Sequence, residues 1–130
     1  GYITDGYITN LHLPNGAEQD SDLNLKENIE DISDKYSAMF DKLRPVTYKL
    51  KGKNHDRLHA GFIAQEVEEA MIKSDLTSME FGGLCYDIDE NQNKNYGLRY
   101  TEFIAINTLE IQKLKKRIEL LEKKEESRHD

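Results

Sequence analysis

Cysteine, apolar residues and positive charge are all in short supply, and each shortage closes off a class of function. The one cysteine, Cys85, cannot make an internal disulfide and leaves no partner for a thiolate metal site or a redox motif. Hydrophobic residues make up 37% of the 130 positions against 33% charged, and the mean hydropathy is −0.79. A short chain buries a smaller share of its surface than a long one, so a monomer with a generous core is not the expected state. Burial shared between subunits would relieve the shortage. Cations are outnumbered as well, with 18 Lys and Arg to 25 Asp and Glu, a net charge of −7 and a pI of about 5.1. A nucleic-acid binder needs cations to displace counterions from phosphates, so neither DNA nor RNA is an expected partner. Lys113, Lys115, Lys116 and Arg117 do cluster, but Glu110, Glu119 and Glu122 lie among them, the pattern of a solvated helix face. There is no signal-peptide pattern and no apolar run long enough for a bilayer, so secretion and membrane insertion are not expected either.

What the chain does have is organisation. Its first ten residues repeat, GYITD then GYITN. Gly, Asp and Asn at regular intervals read as turns between very short strands, the end of something extended and repetitive; a frayed terminus is the other reading. Pro14-Asn15-Gly16 is a turn signal, and a boundary falls within residues 14–20. Apolar residues then recur at Leu25, Ile29, Ile32, Tyr36, Met39 and Leu43, which predicts a helix with an irregular first turn. Pro45 ends it, because the residue before a proline avoids helical dihedrals. Residues 46–50 alternate as a strand, Lys51-Gly52-Lys53-Asn54 turns the chain, and Leu58 to Ile63 follows as a second strand. A short helix from Gln65 to Ile72 comes next, with Gln65 and Glu66 as candidate caps. Two further strands, Gly82 to Ile88 and Tyr96 to Tyr100, flank a polar loop at residues 89–95. That loop lacks the acid, glycine and glutamate positions of a calcium loop and is read as a turn. The predicted class is α+β, a small mixed helix and strand domain with a long C-terminal helix.

That last helix, from Thr101 to about Glu126, carries the clearest pattern. Ile104, Asn107, Ile111, Leu114, Ile118 and Leu121 step by three and four, with Ile104 at heptad position a and Asn107, Leu114 and Leu121 at d. The pairs that would flank a parallel seam, Glu110 with Lys115 and Arg117 with Glu122, are of opposite charge. Self-assembly through this stripe is therefore expected. Ile at a with Leu at d leans toward two strands, weakly given Asn107 and the short length. Ile106, Leu109 and Leu120 lie off the stripe, so the upper half of the helix is expected to pack on its own domain as well.

One segment raises a question of chemistry. In QDSDLNLK, Ser21 sits between Asp20 and Asp22, with Lys26 five residues on. Serine is a weak nucleophile until a base removes its proton. A lysine can be that base only when neutral, and at its reference pKa only about one molecule in 2,500 is neutral near pH 7. Bringing such a lysine to ~7–8 takes roughly 3–5 kcal/mol of destabilisation of its charged form, mostly by desolvation. Five residues span ~140° around a helix and opposite faces of a strand, so the chain must bend for the side chains to meet. An ordinary helix cap by Ser21 or Asp22 is the alternative.

The ordered blocks SDLNLKENI, KLRPVTYKLK, HAGFIAQEVEEA and LRYTEFIAINTLEIQKLKKRIELLE resemble the peptidase S74 family, the C-terminal intramolecular chaperones of phage tailspikes, tail fibres and neck appendages. The resemblance runs from Ser21 to about Glu122. It implies that Ser21 and Lys26 form a self-cleaving dyad that cuts the Asp20–Ser21 bond, with His59 in support. Where this chain has Asn24, many relatives have a basic residue, so any ion pair made there is lost. The resemblance also implies a homotrimer whose partner, besides itself, is the N-terminal stalk of the same polypeptide. Residues 1–20 would be the end of a triple-stranded β-helix, 21–100 the chaperone and protease body, and 101–130 the oligomerisation helix. The place of action would be the host cytoplasm during phage assembly, with the cut fibre going to the virion. A structural trimerisation domain that no longer cuts is the alternative, and a membrane-anchored parent is a third reading within the family.

No cofactor is expected. Gly82-Gly83 is too little for a phosphate loop, and His55 and His59, although four apart, sit in a segment read as turn and strand with no third ligand. Cys85 reads as a small buried residue.

Overall fold

The computed structural model describes residues 18–52 and 56–129. The GYIT repeat, the turn at Pro14, the tip of the turn after Lys51, and His55 lie outside the described residues. The chain divides between Asp31 and Ile32 into two units.

The described part of the first unit is short and irregular. A three-residue 3-10 turn, Leu23–Leu25, is its one element of regular structure among the described residues. Asn28 has a positive φ of 55°, which no α-helix can pass through. The expected helix from Leu25 to Leu43 is therefore corrected: helix α1 is confined to Asp34–Phe40. Leu25 and Ile29, counted as part of its apolar face, are 68% and 64% exposed.

The second unit holds the core. After α1, Pro45 turns the chain into β1 (Val46–Tyr48), which pairs antiparallel with β2 (His59–Gly61) in the register Val46 to Gly61, Thr47 to Ala60 and Tyr48 to His59. Helix α2 (Ala64–Lys73) buries Val67, Ala70 and Met71, the i, i+3, i+4 face of an amphipathic helix. It ends in a left-handed residue, Asp75 (φ 61°), after which the Leu76 N–H donates to the Met71 carbonyl at 2.9 Å and the Leu76 side chain enters the core. A second hairpin pairs β3 (Leu84–Ile88) with β4 (Lys94–Leu98) around a turn in which Asp89 Oδ1 accepts the N–H groups of Asn91 and Asn93. Helix α3 (Glu102–Arg128) is 27 residues long, ~40 Å at 1.5 Å per residue.

Met39, Val67, Ala70, Met71, Leu76, Phe81, Phe103 and Ile106 form a single buried cluster, with Tyr36, Phe40, Leu43, Phe62, Leu84 and Leu98 packed around it. Phe103 is its hub: the ring lies 5.1 Å from Phe62 and stands edge-on to Phe81 at 5.2 Å. Truncating it removes the contact that joins α3 to both neighbours. Phe103→Ala is expected to destabilise the domain by about 3–5 kcal/mol, read as a lower urea midpoint at unchanged slope. A loss below ~1 kcal/mol would mean that the aromatic cluster is not the keystone of this core.

Helix α3 is anchored only near its start. Phe103 and Ile106 are buried and Leu109 is half-buried, whereas Ile111, Leu114, Ile118 and Leu121 are 53–59% exposed. One polar clamp extends the anchorage. The Ser37 hydroxyl of α1 donates to Glu110 Oε2 at 2.7 Å, and Lys113 Nζ donates to Ser37 Oγ at 2.6 Å.

Candidate active site

The bend that Ser21 and Lys26 require is the 3-10 turn. Asp22 caps it, its Oδ1 accepting the Asn24 N–H at 2.8 Å, and the Leu25 and Lys26 N–H groups donate to the carbonyls of Asp22 (3.0 Å) and Leu23 (3.2 Å). The chain then leaves the turn extended at Lys26. As a result, Lys26 Nζ lies 2.6 Å from Ser21 Oγ. Of the two capping candidates, Asp22 takes the cap, and the Ser21 hydroxyl is left to Lys26. Asp20, Ser21, Asp22 and Lys26 are all exposed, as are Leu23 and Leu25 at 72% and 68%.

Chemically, the pair offers one contact that nucleophilic catalysis by a serine would use, a hydroxyl within hydrogen-bond reach of an amine.

His59 belongs to the second unit and is set by the first hairpin. It sits opposite Tyr48 in the register, and the two rings stack at 5.6 Å with 26° between their planes. Tyr48 is in turn near Tyr100, whose hydroxyl, with a smaller contribution from desolvation, holds the Tyr48 phenol above its usual range. The Tyr100 hydroxyl also accepts the Phe62 N–H at 3.2 Å and covers Gly61, where a Cβ would collide with it. The glycine of HAGF is thus required by a tyrosine nearly forty residues away. Among the described residues no group of three or more His, Cys, Asp or Glu side chains gathers as metal ligands.

Neither Gln65 nor Glu66 makes a side-chain cap on α2, whose N-cap residue is Ile63. The Glu66 carboxylate does not return to cap its own helix but takes Arg44 in a two-point bond at 2.9 and 2.6 Å, which holds the carboxyl below its usual range. This pair ties the LRPV block to the AQEV block. Sequence reasoning missed it, together with the Asp22 cap as the device that brings Ser21 and Lys26 together. The signal for the latter was present in Asp22 standing two residues before a free N–H.

A family model described as chaperone of endosialidase, peptidase S74, matches residues 21–76. Among solved structures, the crystal structure of a novel intramolecular chaperone is 25% identical, with a TM-score of 0.61 over 75% of this chain and 99% of that one. No curated protein sequence matches. The stretch from Ser21 through α2 to Leu76 is thus similar to the peptidase S74 family, chaperone of endosialidase.

Proposed function

We propose that the chain is an intramolecular chaperone that assembles as a homotrimer, templates the folding of the stalk preceding it, and then releases itself by cutting the Asp20–Ser21 bond. The observation that carries the reading is the 2.6 Å contact between Ser21 Oγ and Lys26 Nζ in the segment that matches the family. The solved relative, described as an intramolecular chaperone, supports the chaperone role. On this reading residues 1–20 end the stalk, and the work is done in a host cytoplasm before the fibre joins its virion.

In the reaction, Ser21 Oγ attacks the Asp20 carbonyl carbon while Lys26 takes the hydroxyl proton. The tetrahedral intermediate collapses, breaking the Asp20 C–N bond, and Lys26 returns the proton to the Ser21 nitrogen. The product is an ester between Asp20 and Ser21 Oγ, an N-to-O shift through a five-membered ring. Water then hydrolyses the ester, leaving a carboxylate on Asp20 and an amine on Ser21. The oxyanion is held by backbone N–H groups.

Lys26 can act only as the neutral amine, and desolvation is what favours that form. In the single chain the dyad is exposed and flanked by Leu23, Leu25 and Ile29, each more than 60% exposed. Covering these residues when three copies meet would dry the lysine, so cleavage waits for assembly. Intact-mass spectrometry of the freshly purified chain beside Ser21→Ala and Lys26→Ala tests the reading. Loss of residues 1–20 is expected in the parent and in neither variant. An intact parent after long incubation as a demonstrated trimer would leave a structural trimerisation domain instead.

A further inference from the structure

We propose that Asp22 is a positioning residue of the self-cleavage reaction, acting as a hydrogen-bond acceptor and not through its charge. The inference rests on the Ser–Lys reading above and names the group that brings the dyad together.

Neither a strand nor a helix turns residues five apart to one face. Ser21 and Lys26 meet because three hydrogen bonds fold residues 22–26 into a single turn, two of them between backbone groups and the third from the Asn24 N–H to Asp22 Oδ1. The turn is three residues long, buries none of them, and runs straight into extended backbone at Lys26. It has none of the cooperative support of a long helix, and no packed side chain in it fixes its shape. A single carboxylate oxygen therefore supplies a third of the bonds that keep Oγ and Nζ 2.6 Å apart.

The charge of that carboxylate works the other way. Negative charge in the same turn favours the ammonium form of a lysine, whereas the reaction needs the amine. What the geometry uses is only an oxygen placed to accept the N–H two residues on, which asparagine and serine also offer.

Cleavage of Asp22→Asn, Asp22→Ser and Asp22→Ala is followed by intact mass beside the parent chain, with light scattering and circular dichroism recorded for each. The Asn and Ser variants are expected to cut within about threefold of the parent, and the Ala variant about tenfold more slowly at the same oligomeric state. An Ala variant that cuts at the parent rate overturns the proposal. So does an Asn variant as slow as Ala, which would make charge the active feature, and so does loss of assembly confined to Ala, which would make Asp22 a folding residue. A parent that never cuts defeats the Ser–Lys reading itself and takes this inference with it.

Discussion

With Ile111 and Leu114 both replaced by aspartate, the chain is expected to remain a folded monomer that does not cut itself. Both side chains are 59% exposed in the single chain, and the buried cluster engages α3 only at Phe103 and Ile106. Substitution at such exposed positions changes the stability of a single chain by about 0.5 kcal/mol or less. In a seam between copies the same aspartates would be uncompensated buried charges, each costing several kcal/mol, and a trimer would bury six of them. Dissociation at micromolar concentration is therefore expected, measured by light scattering after size exclusion, with circular dichroism showing the domain intact. Cleavage should fall with assembly, because the exposed dyad then stays wet. A monomer that cuts at the parent rate would end the idea that assembly gates the reaction, and a persistent trimer would move the interface off this stripe.

The parts of the fold that sequence patterns revealed are those whose apolar spacing is regular over several turns, whether or not the chain itself covers the residues. Helix α2 was legible because Val67, Ala70 and Met71 mark a face that the domain buries, and α3 was legible because its stripe persists for five turns. The early helix misled through the same kind of spacing. Leu25 and Ile29 continue the spacing of Tyr36 and Met39, yet they are exposed, and Asn28 between them adopts a left-handed conformation. Periodicity reports that a residue wants cover and does not say whether its own chain supplies it. The contact between Ser21 and Lys26 was legible as composition and not as geometry. Ser21 and Lys26 stand at a spacing that regular structure separates, and a side-chain cap on a three-residue turn is what closes the gap. The clamp of Ser37, Glu110 and Lys113 was invisible for a different reason: Ser37 lies 73 and 76 positions from its two partners, and the heptad spacing alone pairs Glu110 with Lys115 of another copy.

Lys26→Arg is expected to keep the contact with Ser21 and lose the cut. An arginine presents several N–H donors to the serine oxygen and preserves the positive charge, but its guanidinium does not give up a proton in a protein. If Lys26 serves as the base, the variant should cut at least ~100-fold more slowly, the lower end of what general-base catalysis contributes. Intact-mass time courses on samples of matched oligomeric state measure the difference. An arginine variant as fast as the parent would mean that Lys26 only holds the hydroxyl in place and that the proton leaves by another route. The nearest alternative would then be the Asp20 side chain attacking its own carbonyl carbon, a reaction that does not use the serine. In that case Ser21→Ala should cut as readily as the parent, so the two variants together decide whether this domain is released by a dyad or by an aspartate.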